Sequence, residues 1–169
     1  MWRRLLVTSL VGGLAACQGE AGPRTTIAQE SVSFSKVSGY EISHERGAAL
    51  LTPKDATKSG TIVIRSVRFD ERHDRTPEDV LTATEFALQG LPSASVSAAK
   101  DVEDSELPAK EFTVTFNPPG KHGKVYERTH IVLFGEEYAY HVLHTAPKGH
   151  LGDIAKDFDQ IVNSLEEEG

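Results

Sequence analysis

The stretch from Lys110 to Thr145 constrains the fold most. Phe112, Val114 and Phe116 alternate with Glu111, Thr113 and Thr115, the period of two that marks a strand with one face covered. Asn117-Pro118-Pro119-Gly120 then turns the chain, since proline cannot donate to a ladder and this composition favours turns. Lys124 to Phe134 and Glu137 to Thr145 read as the next two strands. Gly135-Glu136 between them fits a two-residue hairpin with glycine at the first central position. Short links of this kind join antiparallel strands, because a parallel pair needs a crossover of a dozen or more residues.

The rest of the chain supplies further strands and two helices. Val32 and Phe34 alternate with serines, and Tyr40 and Ile42 share a face in the segment that follows. Ala48 to Thr52 is apolar and ends at Pro53, and Thr61 to Phe69 is β-rich. Thr76-Pro77-Glu78-Asp79 is a helix start, with a capping threonine, proline at the first helical position and acids in the first turn. Val80, Ala83, Ala87 and Leu91 form its stripe, widened by Leu81, Phe86 and Leu88, and Gly90 and Pro92 end it. Val96, Ala98 and Val102 hint at one more strand. Leu151, Ile154, Phe158, Ile161 and Leu165 are spaced three, four, three and four apart, which predicts a closing amphipathic helix. Glu166 to Glu168 stand where a helix end prefers cations, so they are predicted to fray. The expected architecture is α+β: an antiparallel sheet with both main helices packed on one face. The expected domain runs from residue 31 to residue 165, after a tether over 17–30 and before an acidic tail over 166–169.

The N-terminus carries an address. Arg3 and Arg4 precede an apolar run from Leu5 to Ala16, and Cys17 is the one cysteine of the chain. That layout is a secretory signal, too short in its apolar part for an ordinary spanning helix. Leu14-Ala15-Ala16-Cys17 resembles the lipobox of bacterial lipoproteins. The resemblance implies removal of residues 1–16, a diacylglyceryl group on the Cys17 thiol, and attachment to the bilayer through it. Gln18 after the cysteine resembles the outer-membrane pattern, so the expected location is the cell envelope, facing the periplasm or the surface in a Gram-negative cell. With a single cysteine no intramolecular disulfide can form, and the exported domain must be stable on packing alone.

Removal of residues 1–16 leaves 153 residues, one domain's worth. The loss of Arg3 and Arg4 takes the net charge from −7 to −9. Such an acidic chain argues against nucleic acid as a partner and against a polybasic grip on anionic lipid. Anchoring then rests on acyl chains, each buried methylene contributing ~0.8 kcal/mol.

The segments together show a further resemblance. Gly39-Tyr40 in the opening strand, the mid-chain helix, Leu143-His144-Thr145-Ala146-Pro147 at the end of a late hairpin and Ile161-Val162-Asn163-Ser164-Leu165 at the end resemble the PsbP-like group, which includes DcrB-type lipoproteins. His44-Glu45-Arg46-Gly47 stands where Pro-x-x-Trp often follows the opening strand in that group. The resemblance implies an accessory or binding role and no shared catalytic chemistry; the face that a sheet with helices on one side leaves open is the expected docking surface for another envelope protein.

The motifs of chemistry are incomplete. No Gly-x-Ser-x-Gly is present. His44-Glu45 lacks the second histidine of a zinc protease, and Asp70-Glu71-Arg72-His73-Asp74 lacks the glycine of a calcium loop. No catalytic residue and no cofactor are therefore assigned. Histidines are the remaining resource. With Gly135-Glu136 as the turn, Phe134 pairs with Glu137 and His130 comes opposite His141, close enough to share a zinc ion. His144 falls on the other face. Two ligands need a third, for which Glu137 or Asp153 would have to be recruited. The plainer reading is a half-exposed histidine pair. Tyr138, Tyr140 and Val142 form a stripe facing Ile131 and Leu133, either an aromatic binding surface or core beneath the helices. Arg65, Arg68, Arg72 and Arg75 could draw an anion, although Asp70, Glu71 and Asp74 interleave with them. The function expected is thus a membrane-anchored, non-catalytic binding or accessory module. The alternative is a metal-binding protein or metal-dependent hydrolase built on His130 and His141.

Overall fold

The computed structural model describes residues 22–69, 76–120 and 123–168. Cys17, Arg72 and Arg75 lie outside them. In chain order the strands are β1 (Arg24–Ile27), β2 (Val32–Ser35), β3 (Tyr40–Glu45), β4 (Ala48–Pro53) and β5 (Thr61–Arg68). Helix α1 (Pro77–Gln89) precedes the short β6 (Ser95–Val96) and β7 (Lys100–Asp101). The long strands β8 (Ala109–Phe116), β9 (Tyr126–Phe134) and β10 (Tyr138–Pro147) follow, then α2 (Ala155–Asn163) and β11 (Glu166–Glu167). The large sheet runs β3-β4-β5-β10-β9-β8-β6, with β7 also paired to β8, and a small sheet runs β1-β2-β11. All pairings are antiparallel.

The α+β class holds. The placement of both helices on one face does not. Alternation assigns Ile62, Ile64, Ile131, Leu133, Tyr140 and Val142 to one face of the large sheet. They pack with Ile154, Phe158, Ile161, Val162 and Leu165, and with Ile27, Val32 and Phe34 of the small sheet. The opposite face holds Phe112, Val114, Phe116, Val132 and Ala139, covered by Val80 and Leu88 of α1. Both faces are apolar over β9 and β10, so each needs a cover. The first face has α2 and the small sheet, the second α1.

Thr76 caps α1 as expected. Its side chain accepts from the Asp79 N–H, and the Asp79 carboxylate accepts from Thr76 N in return, a capping box. The buried line of α1 is Val80, Thr84 and Leu88, at steps of four. Phe86 lies about 200° round the helix from Thr84 and is 79 % exposed, so it does not widen the stripe. Thr84 is tolerated inside because its hydroxyl donates to Val80 O at 2.7 Å.

The β9–β10 turn sits one residue later than expected. Gly135 N–H donates to Tyr138 O at 2.9 Å, which places Glu136 and Glu137 at the tip. Phe134 pairs with Ala139 rather than with Glu137. Gly135 has no positive φ, so the turn makes no use of its backbone freedom. A Cβ on Gly135 would instead collide with the carboxylate of Glu167, whose Oε1 accepts from Glu137 N at 2.9 Å. The glycine admits a side chain from β11 that holds the tip. The register moves by two residues, which keeps every side chain on its face.

Both ends of the described chain carry strands that were not expected. The domain includes Arg24 to Glu30, ahead of the expected start at residue 31, because β1 pairs with β2 from Arg24–Ser35 to Ile27–Val32. Glu166 and Glu167 do not fray: they pair with β2 as β11, and Arg24 reaches Glu166 at 3.0 Å. Glu30 is buried and accepts from the Ser66 N–H and hydroxyl at 2.6 and 2.9 Å. The β4 ladder on β5 stops at Ile64, and the carboxylate serves the strand edge beyond it.

Candidate functional site

Helix α1 covers only part of its face of the sheet. Where β4 and β5 continue beyond it, Val63, Val67 and Leu143 remain half-buried. A cleft of about 640 Å³ opens there between sheet and helix. Its floor is Val63, Arg65 and Val67 of β5, His141 and Leu143 of β10, and His130 of β9. Its helical wall is Val80, Ala83, Thr84 and Ala87. Ala83 and Ala87, expected in the core stripe, stand exposed on this wall.

The rim comes from the β3–β4 hairpin. Arg46 and Gly47 form its two-residue turn, both with positive φ, at 51° and 73°. This is the turn geometry that matches strand twist. It brings Glu45, Arg46 and Ala48 to the edge of the cleft.

His130 and His141 come together, but on the diagonal. His130 pairs with Leu143 and His141 with Val132. The two-residue shift in register turns the expected opposed pair into neighbours across one rung, still on one face. Nε2 of His130 lies 2.9 Å from Nδ1 of His141, and the rings meet edge to face at 5.2 Å. Burial, then the neighbouring ring and Arg128, pushes His130 down to about 3. Burial and Arg65 push His141 down to about 4. Both rings are neutral near pH 7. Arg128 itself is held over Phe116 at 4.9 Å and donates to Thr145 Oγ1.

The acids expected to join the pair are engaged elsewhere. Glu137 meets Arg68 at 3.0 Å. Asp153 accepts from Ser59 N at 3.0 Å and lies 3.2 Å from His150. Among the described residues no group of three His, Cys, Asp or Glu is arranged to hold a metal ion. His144 is buried on the other face against Phe158, with ring centroids 5.3 Å apart.

Tyr140 is a core residue. It is fully buried, directly opposite Leu133, and its hydroxyl donates to Ser31 O at 2.9 Å. Tyr138 is half-buried at the edge of the same cluster, with Arg68 6.0 Å from its ring centre. The arginine group divides: Arg65 faces the cleft, while Arg68 stands on the other face of β5. The cleft was not legible beforehand, because its walls come from β5, β9, β10 and α1, far apart in sequence.

No protein-family model matches the sequence, and no curated protein matches it. Solved structures do match. One from Bacteroides thetaiotaomicron has a TM-score of 0.63 at 15 % identity, over 88 % of this chain and 49 % of the other; the chain spans about half of that structure. LpqN of Mycobacterium tuberculosis, described as involved in cell envelope biogenesis, gives 0.57 at 13 % identity, over 90 % and 88 %. The cyanobacterial PsbP protein CyanoP of Synechocystis gives 0.58 at 11 % identity, over 92 % and 99 %. The fold is PsbP-like. At these identities the likeness is one of fold. Among the described residues no helix is long and apolar enough to cross a membrane.

Proposed function

We propose that the chain is a lipid-anchored protein of the cell envelope that acts by binding, not catalysis, through the cleft between α1 and the sheet. The cleft's composition carries this reading. Its walls are mostly apolar, and the histidine pair in its floor is neutral and hydrogen-bonded to itself. Sites of this size with few polar groups suit small-molecule binding. Catalysis would need a positioned nucleophile, base or metal. Thr84 spends its hydroxyl on the Val80 carbonyl, and histidines pushed this far down are poor bases near neutrality. The location rests on Arg3, Arg4, the apolar run and Leu14-Ala15-Ala16-Cys17. The similarity in fold to LpqN, described as involved in cell envelope biogenesis, supports this reading in kind.

The metal-dependent reading needs a third ligand beside His130 and His141, and the described residues supply none. Fractionation of cells and metal analysis decide between the two. The parent protein should sit in the membrane fraction, Cys17→Ser should leave it, and the purified protein should hold no stoichiometric zinc. Retention of Cys17→Ser in the membrane with unchanged mass behaviour would refute the anchor. Stoichiometric zinc that is lost in both His130→Ala and His141→Ala would refute the binding role.

A further inference from the structure

One proton decides what the cleft can recognise. His130 Nε2 and His141 Nδ1 lie 2.9 Å apart, so one of the two nitrogens carries a hydrogen and the other accepts it. His130 is only 7 % exposed, and its other nitrogen, Nδ1, is buried with no partner among the described residues. Each neutral ring has one N–H. If His141 donated from Nδ1, His130 would have to carry its own hydrogen on Nδ1, as a buried donor with nothing to receive it. Either tautomer leaves that nitrogen without a partner, as an N–H or as a lone pair, and the orphaned N–H is the rarer of the two inside proteins. His130 therefore donates from Nε2, and His141 holds its hydrogen on Nε2.

That hydrogen stands beside a cation. Arg65 is the rung partner of His141 on β5, on the same face, and its charge helps to hold His141 neutral. Arg65 is exposed and has no hydrogen bond or ion pair among the described residues. The cleft lining also holds two acids, Asp79 and Glu45, neither of them in an ion pair with Arg65 among the described residues. Two donors, one of them a full positive charge, thus adjoin the apolar surfaces of Val63, Val67 and Leu143.

We infer that the cleft binds a small amphiphile with an anionic oxygen head. The head is held by the Arg65 guanidinium and the His141 Nε2–H, and the apolar body lies between β5, β10 and α1. The inference rests on the binding role proposed above and names its ligand class. At the Arg65–His141 position a cationic head is opposed by the guanidinium and the N–H alike, and a wholly apolar ligand would leave the Arg65 charge desolvated without a partner.

The test uses the full chain carrying Cys17→Ser, so that no acyl group of its own competes. Nitrogen-15 NMR of the imidazole rings reads the tautomers. Titration then compares octanoate, 1-octanol and octylammonium, which share one tail. The expected result is the Nε2–H form of His141 and saturable octanoate shifts at Ala83, Ala87 and Leu143. Octanol and octylammonium should bind at least tenfold more weakly. Arg65→Met should weaken octanoate at least tenfold and leave octanol unchanged. An Nδ1–H form of His141, octanoate no better than octanol, non-saturable shifts, or indifference to Arg65→Met would each overturn the inference. The envelope role is judged by fractionation instead. A failed titration on a protein that is anchored in cells refutes the ligand alone, and a protein that never reaches the membrane refutes the role alone.

Discussion

Mild acid should destabilise this protein through two residues. His130 and His141 are held neutral in the folded state, down to about 3 and about 4, while an unfolded histidine titrates near ~6.5. As the pH falls below that value the unfolded chain takes up protons that the folded chain refuses. The stability owed to the neutral pair is complete above the unfolded value and is lost as pH falls toward the folded ones. Each group contributes ~1.4 kcal/mol per pH unit in that window. Between pH 7.5 and pH 5 this comes to ~2 kcal/mol per ring and ~4 kcal/mol for the pair. For a domain of this size that is a fall of ~8–16 °C in Tm. Burial lowers His144 also, in the same direction. The assay is thermal unfolding by circular dichroism across that pH range, for the parent and for a His130→Gln, His141→Asn double variant. The slopes are compared rather than the absolute stabilities. The variant's curve should be flatter by most of that difference. Parallel curves would show that the pair is not neutral in the folded protein, and the argument from its protons would fail.

Three further outcomes follow from packing. Phe158→Ala, which empties a buried site against His144, should cost ~3–5 kcal/mol in chemical denaturation. Gly60 has φ +105°, and a Cβ there would lie 3.1 Å from both Ala146 Cβ and His144 Nε2. Gly60→Ala should therefore destabilise by more than ~1 kcal/mol, and a neutral result would contradict this backbone. Thr76→Ala removes the capping box of α1 and should cost ~1 kcal/mol, read as a lower denaturation midpoint with an unchanged slope.

The regular parts of the fold were legible where periodicity was strong. Phe112, Val114 and Phe116 alternate and share a face, and Ile154, Phe158, Ile161 and Leu165 are buried as their spacing requires. What escaped was set by contacts distant in sequence. The hairpin tip is held by Glu167, some thirty residues on, so a local rule about glycine placed the turn one residue early. The helices divide between two faces because β9 and β10 are apolar on both, which the clean alternation along β8 does not reveal. The acidic end reads as a fraying helix terminus until β2 offers it an edge. The histidine pair was found from a wrong register, because an error of two residues preserves the face. The surrounding cleft was not found, since Ala83 and Ala87 look like core on a helical wheel. Only the unequal cover of the sheet turns them into a wall.

The central claim is that this cleft is where the protein binds in the envelope. The most direct test is photo-cross-linking in intact cells from a reactive residue placed at Ala83, on the cleft wall, beside a control at Lys156, exposed on α2. A low-mass, non-protein adduct is expected from position 83 alone, diminished by Arg65→Met. No adduct from position 83, or equal adducts from both positions, would contradict the claim.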